Sequence, residues 1–182
     1  MEVYRIVLER FSDQLYAPGL SGRWNYDNEF VIYAASSRSL AAMENMVHKM
    51  GQGVLGTNFT IMVLDIPDSL SITKITTPDL PVGWKLESSY ADTQPIGSSW
   101  YQAGETLILQ VPSAVVPSEY NFILNARHPD FPQVKINHRE PFVYDYRFVA
   151  MDKPLTNSKI QNNNQLACFI AHYRTKKVCG RY

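Results

Sequence analysis

The sequence predicts an α+β fold built as a single domain, and three observations carry that prediction. A continuous apolar run, FVIYAA from Phe30 to Ala35, has the length of a buried strand. The segment after it, SSRSLAAMENMVHKM, repeats apolar residues at spacings of three and four, the period of a helix. Further runs downstream, NFTIMVLDIP, TLILQVP, YNFILN and VKINHREPFVYD, are separated by clusters of proline, glycine, asparagine and serine, as strands joined by turns are. Strand signals outnumber helix signals, so the sheet is expected to carry the core.

The elements follow in order. Tyr4, Ile6 and Leu8 alternate with Arg5, which predicts a short half-buried strand at the N-terminus. Leu40, Met43, Val47 and Met50 form one apolar stripe, so their segment is predicted as an amphipathic helix of three to four turns with that stripe inward. Ser36 or Ser37 would cap its start, and it would end near Gly51. PDLPVGW and QPIGSSWYQAG hold too much proline and glycine for long regular elements, and only a short helix around Ser99 to Ala103 is expected there. After Val149 the chain turns polar and low in complexity in TNSKIQNNNQ, then closes on LACFIAHYRTKKVCGRY. The domain is therefore read as residues 1–148, with residues 149–182 as an extension either partly disordered or docked on a partner.

A chain of 182 residues is long enough to bury roughly 70% of its unfolded surface in one core. Its 17 basic side chains balance 17 acidic ones, without the positive excess that nucleic acid or an anionic membrane calls for. Cys168 and Cys179 lack any CxxC partner pattern, so neither a disulfide framework nor a zinc site is predicted. The N-terminal MEVYRIVLER alternates apolar and charged residues where a signal peptide would have a basic flank and an apolar core. No apolar run approaches the length of a membrane span, and a cytoplasmic protein is expected.

Several residues could carry chemistry. GLSGRWN, Gly19 to Asn25, sets an arginine fork between glycine and tryptophan, a turn able to present Arg23 to an anion or to stack it on Trp24. Glu44 falls at the border of the helical stripe, half sheltered, where a carboxylate can stabilise developing positive charge or simply sit at a helix edge. His48, four residues on, could share a metal with it, but no further His or Cys completes a set and no metal is expected. Tyr33 ends the buried strand, either as a core aromatic or as a ring available to a flat ligand. Ser113 follows a strand between prolines and reads as a turn residue, since no GxSxG elbow surrounds it.

Taken together, GRWN at Gly22 to Asn25, VIYAASSRSLAAMEN, IGSSW at Ile96 to Trp100, VPSAVVPSEYNFILN and HPDF at His128 to Phe131 resemble, in order and spacing, the RES domain. That domain is the toxin half of Xre-RES toxin–antitoxin systems. Ala126 and Arg127 stand where the family more often has a proline, and Tyr101 where an aliphatic residue is usual. The resemblance implies an ADP-ribosyltransferase-like fold, central β-sheets with flanking short helices. It also implies a toxin that consumes NAD by breaking the nicotinamide–ribose bond, with phosphate or water as acceptor. Transfer of ADP-ribose to a protein, or nucleotide binding without turnover, are the alternatives.

The residues carried over by the resemblance as catalytic are Arg23, Tyr33, Glu44 and Ser113, with Arg5, Arg23, Asn25 and Tyr33 expected to bind the dinucleotide. Expelling neutral nicotinamide leaves an oxocarbenium-like ribose, which asks for a negative charge beside it and an aromatic wall. Glu44 and Tyr33 suit those roles. Arg23 would meet the diphosphate and Ser113 the nicotinamide amide or the ribose. NAD is then substrate and no separate cofactor is implied. The implied protein partner is an Xre-type antitoxin, and a homodimer is left open.

Overall fold

The computed structural model describes residues 1–49, 58–145 and 147. The chain divides into two units, Met1–Tyr144 and Asp145–Tyr182, and the architecture below is that of the first. The helix stop near Gly51, the expected extension over 149–182 and both cysteines lie outside the described residues.

The strands are β1 (Glu2–Leu8), β2 (Val31–Ala35), β3 (Phe59–Asp65), β4 (Ile72–Lys74), β5 (Ile108–Pro112), β6 (Tyr120–Asn125) and β7 (Lys135–Phe142). They form one seven-stranded sheet in the order β4-β5-β6-β2-β1-β3-β7, antiparallel except for the β4–β5 pair. Two helices accompany it, α1 (Arg38–Lys49) and α2 (Tyr90–Ala103). The architecture is a mixed α+β domain as the sequence predicts. Among the described residues, no helix is long and apolar enough to cross a membrane.

Side-chain alternation divides the core between the two faces of the sheet. Ile32 and Ala34 face one side with Val3, Met62, Leu64, Ile108 and Leu124. On the other side Val31, Leu109, Val111 and Ile123 pack with Trp24, Trp84 and Trp100. Beside that cluster Ala35 meets Leu40 and Ala41 of α1. Each fully buried aliphatic or aromatic side chain contributes roughly 1.5–3 kcal/mol. The two clusters on this second face are where the helices dock.

The predicted inward stripe of α1 is not the one observed. Leu40 and Ala41 are buried, whereas Met43 is 38% and Val47 46% exposed. The helix leans on the sheet by its first turn, and farther along the same edge carries Glu44, Asn45 and His48 over an open cleft. A face that spans both core and cleft is apolar only at one end, so the apolar period pointed elsewhere. Ser37 supplies the cap, accepting a hydrogen bond from the Leu40 N–H at 3.0 Å.

The short helix expected at Ser99 to Ala103 is the last part of a 14-residue one, with Pro95 inside it. Proline deprives the Ala91 carbonyl of its partner, but Ala91 is exposed and water can take that place. Packing holds the helix: Thr93, Gly97 and Trp100 form its buried edge. Gly97 lies against the backbone of Trp24 so closely that a Cβ there would sit 1.9 Å from the Trp24 carbonyl oxygen.

One junction in the sheet is unlike the others. β1 pairs with β3 along its whole length from Glu2 to Leu8, and β2 pairs with β6 from Val31 to Ala35. Between β1 and β2 the register consists of Tyr4↔Ala35 alone. Beyond that contact the two strands part, and the gap opens beneath α1.

Candidate active site

The cleft at this parting holds about 190 Å³ and is lined by residues of β1, β2, β6 and α1, among them Arg5, Tyr33, Glu44, His48 and Asn121. Glu44 hangs into it from α1. Its Oε1 accepts hydrogen bonds from Ser113 Oγ at 2.9 Å and Asn121 Nδ2 at 2.6 Å. Among the described residues, nothing donates to Oε2. One oxygen is thus fixed by the protein from two directions.

Ser113 is 2% exposed and its hydroxyl is fully committed. It donates to Glu44 and accepts from the Val115 and Val116 N–H groups, both at 3.0 Å, which uses its one proton and both lone pairs. The structure therefore puts Ser113 behind the glutamate as a positioning residue, instead of giving it a hydroxyl to offer to nicotinamide or ribose. Asn121, which sequence reasoning missed, does the same from β6. Its register partner is Ala35, so it occupies a strand position facing the helix side. A polar residue at such a position among apolar neighbours was the available signal.

Arg5 reaches across the gap, its Nη1 donating to the Tyr33 carbonyl at 3.0 Å. Burial pulls its pKa down to about 10, which still leaves it a cation at neutral pH. The shift means that the folded state carries this cation at a desolvation cost at neutral pH. No salt bridge to Arg5 occurs among the described residues.

Arg23 sits elsewhere. Its Nη1 donates to the Trp84 and Leu86 carbonyls and its Nη2 to that of Lys85, and the guanidinium lies 4.8 Å from the centre of the Tyr90 ring. It does not line the cleft around Glu44. The fork that the sequence assigned to a diphosphate closes a turn of the chain. Asn25 is also spent internally: fully buried, its Nδ2 donates to the Leu20 and Tyr26 carbonyls at 2.9 Å each.

Tyr33 joins the two regions. It is among the residues that line the cleft, while its hydroxyl accepts from the Trp24 N–H at 3.1 Å and donates to Asn25 Oδ1 at 2.8 Å. Gly22 is pressed against that hydroxyl, where a Cβ would come within 2.7 Å. Burial pushes the Tyr33 phenol above its ordinary pKa, so it remains a neutral donor. From the other side α2 clamps the same turn: Thr93 donates to the Arg23 carbonyl at 2.8 Å and Gln94 to the Gly22 carbonyl at 3.0 Å. Tyr33→Phe should consequently orphan the buried Trp24 N–H and cost about 1–3 kcal/mol, seen as a lower melting temperature. Activity should largely survive because the ring does. An unchanged melting temperature would show that the hydroxyl does not hold the turn.

A sheet that parts at one strand pair, with a glutamate braced over the gap and a half-buried arginine reaching across it, defines a mixed α+β domain with a cleft between strands. The RES domain model matches residues 2–145, and the chain belongs to that family, the toxin component of Xre-RES type toxin–antitoxin systems. It is 38% identical over 130 residues to the Prs ADP-ribosylating toxin of Sphingobium sp. (strain YBL2), covering 70% of this chain and 80% of that one. It is 36% identical over 153 residues to Toxin Res of Yersinia enterocolitica serotype O:8, covering 81% and 99%. The fold is shared with a chain in the crystal structure of the M. tuberculosis MbcT–MbcA toxin–antitoxin complex, at a TM-score of 0.62 and 17% identity over 83% of this chain and 88% of that one.

Proposed function

We propose that this toxin consumes NAD by cleaving the nicotinamide–ribose bond, and that an antitoxin neutralises it by covering the cleft. The observation that carries the reading is the state of Glu44: one carboxylate oxygen is held by Ser113 and Asn121, and the other has no donor among the described residues, in a cleft that the half-buried Arg5 also lines. As the bond from ribose C1′ to the nicotinamide nitrogen breaks, its electron pair neutralises the pyridinium. Positive charge then builds on the ribose. A fixed carboxylate stabilises that charge more than it stabilises the ground state, which is what accelerates the step. Arg5, a cation with no salt bridge among the described residues, takes the diphosphate, and the Tyr33 ring forms a wall against the nicotinamide. Arg23 and Asn25 act one step back by shaping the turn that carries Tyr33's partners. An oxygen of phosphate, water or a protein side chain closes the new bond to C1′ and gives up its proton.

Transfer to a protein is the second reading, favoured by the kinship with a toxin named as ADP-ribosylating. Incubating the purified protein with NAD, with and without phosphate, separates these outcomes by product mass: ADP-ribose phosphate, ADP-ribose or a modified protein. Stoichiometric binding of NAD with no nicotinamide released would overturn the catalytic reading.

Asn121→Asp gives a test through pH. It sets a second carboxylate within hydrogen-bond distance of Glu44, and two carboxylates sharing a site raise the pKa at which the last proton leaves. The reaction needs Glu44 ionised, so the acid limb of the turnover profile should move to higher pH by about one unit or more. If the limb stays put, the ionisation of Glu44 does not govern the rate.

A further inference from the structure

The two sides of the parted sheet hold α1 by different means. The β2–β6 side holds Glu44 itself, through Ser113 after β5 and Asn121 on β6. The other side, β1 with β3 and β7, meets the residue next to it. Tyr144, two residues beyond the end of β7, donates its hydroxyl to the Ala42 carbonyl at 2.7 Å and accepts from Asn45 Nδ2 at 2.9 Å. Ala42 and Asn45 stand three residues apart, so one hydroxyl grips a whole turn of the helix. The phenol is firmly seated: Tyr144 is buried, and its ring meets those of Phe59 and Phe142 edge on, at 5.7 and 4.8 Å between centres. Phe59 and Phe142 are themselves register partners at the end of the β3–β7 ladder. Burial pushes the phenol above its ordinary pKa, against the opposing pull of the Asn45 amide, so it stays a donor. The rest of the hold on α1 is at its start. Among its described residues only Leu40 and Ala41 are buried, and the ion pair from Arg38 to Glu140 of β7 also lies in the first turn. Glu44 comes after both.

We propose that Tyr144 is a positioning residue for Glu44: its hydroxyl ties the second turn of α1 to the β1–β3–β7 side and so fixes how the carboxylate stands relative to Arg5 on β1. The assignment rests on the reading of Glu44 as the charge that stabilises the ribose cation, and extends it to what holds that charge in place. Ser113 and Asn121 fix the carboxylate with respect to the β2–β6 side only, and β1 joins β2 through the single register contact Tyr4↔Ala35. In the proposed reaction Glu44 acts on the ribose while Arg5 holds the diphosphate, so both sides must be in register with each other. A displacement of about an ångström at a reacting centre can cost about a hundredfold in rate. Without the hydroxyl the helix keeps its first-turn contacts and Glu44 keeps both donors, but the second turn loses its tie to the side that carries Arg5.

Tyr144→Phe isolates the hydroxyl, since both ring contacts survive. In steady-state turnover of NAD, well below the melting temperature, kcat should fall about tenfold with KM within about threefold of wild type. The same change in a Glu44→Gln background should alter the residual kcat by less than about twofold, because the charge to be positioned is absent. Hydrogen exchange followed by mass should quicken over residues 42–48 while β3 stays protected. A kcat for Tyr144→Phe within about twofold of wild type overturns the assignment. So does a tenfold loss that persists in the Glu44→Gln background, which would make the hydroxyl a general support of the fold. Should the wild type release no nicotinamide while exchange in α1 still quickens, the tie stands and the catalytic reading falls. Unchanged exchange in α1 overturns the tie itself.

Discussion

Glu44→Gln should lower NAD turnover at least about a hundredfold, a loss of roughly 2.7 kcal/mol of transition-state stabilisation, while the melting temperature barely moves. The substitution is nearly isosteric. Its amide oxygen can still accept from Ser113 and Asn121, so the anchoring of the side chain from the residue after β5 and from β6 is retained. What disappears is the charge on the oxygen that faces the cleft. Nicotinamide release measured by mass, set beside thermal unfolding of the same preparation, checks both halves of the expectation. Turnover within threefold of wild type would make the glutamate a structural acceptor and remove the mechanism's centre.

Gly97→Ala should be the most damaging change outside the cleft, costing about 3 kcal/mol and lowering the melting temperature by roughly 10 °C. The new methyl would meet the Trp24 carbonyl oxygen at 1.9 Å, and the obstacle is backbone, which cannot rotate away as a side chain does. Either α2 lifts off or the turn at Gly22 to Asn25 moves. Both paths strain the hydrogen bonds from Thr93 and Gln94 that tie the helix to that turn. Tryptophan fluorescence reports this unfolding directly, because Trp24, Trp84 and Trp100 share the cluster. Ser99→Ala, on the exposed side of the same helix, is the control and should be near neutral. If the two variants melt alike, the close approach is not what limits this position.

The sheet was readable from sequence because its central strands are continuous apolar runs whose burial does not depend on finer geometry. In β3 every residue from Phe59 to Leu64 is buried, and the run NFTIMVLDIP announces it. The helices were harder for opposite reasons. α1 was found through its period, but its orientation was misread because its polar edge, Glu44 with Asn45 and His48, serves a cleft instead of solvent. α2 was mostly missed because Pro95 and Gly97 are poor helix formers, and only the distant Trp24 backbone explains why glycine is there. Within the site, Glu44, Tyr33 and Ser113 were named through motifs, yet the task of Ser113 depended on which atoms it meets. The partners of Arg23 lie some sixty positions away, at Trp84 to Leu86, and no local pattern could supply them.

The single register contact between β1 and β2 gives Arg5 a double duty. In a closed sheet the Tyr33 carbonyl would take a ladder rung from a neighbouring backbone amide; here a guanidinium supplies the rung. The side chain that stitches the two halves of the sheet is also the one that meets the ligand's phosphates in the proposed reaction. Binding and architecture are consequently written into the same five N–H groups. An Arg5→Lys exchange keeps the charge but gives up the planar fork that can hold a carbonyl on one prong and an anion on another. In Arg5→Lys the stitch across the sheet and the ligand grip should therefore weaken together, whereas at Glu44 they should come apart.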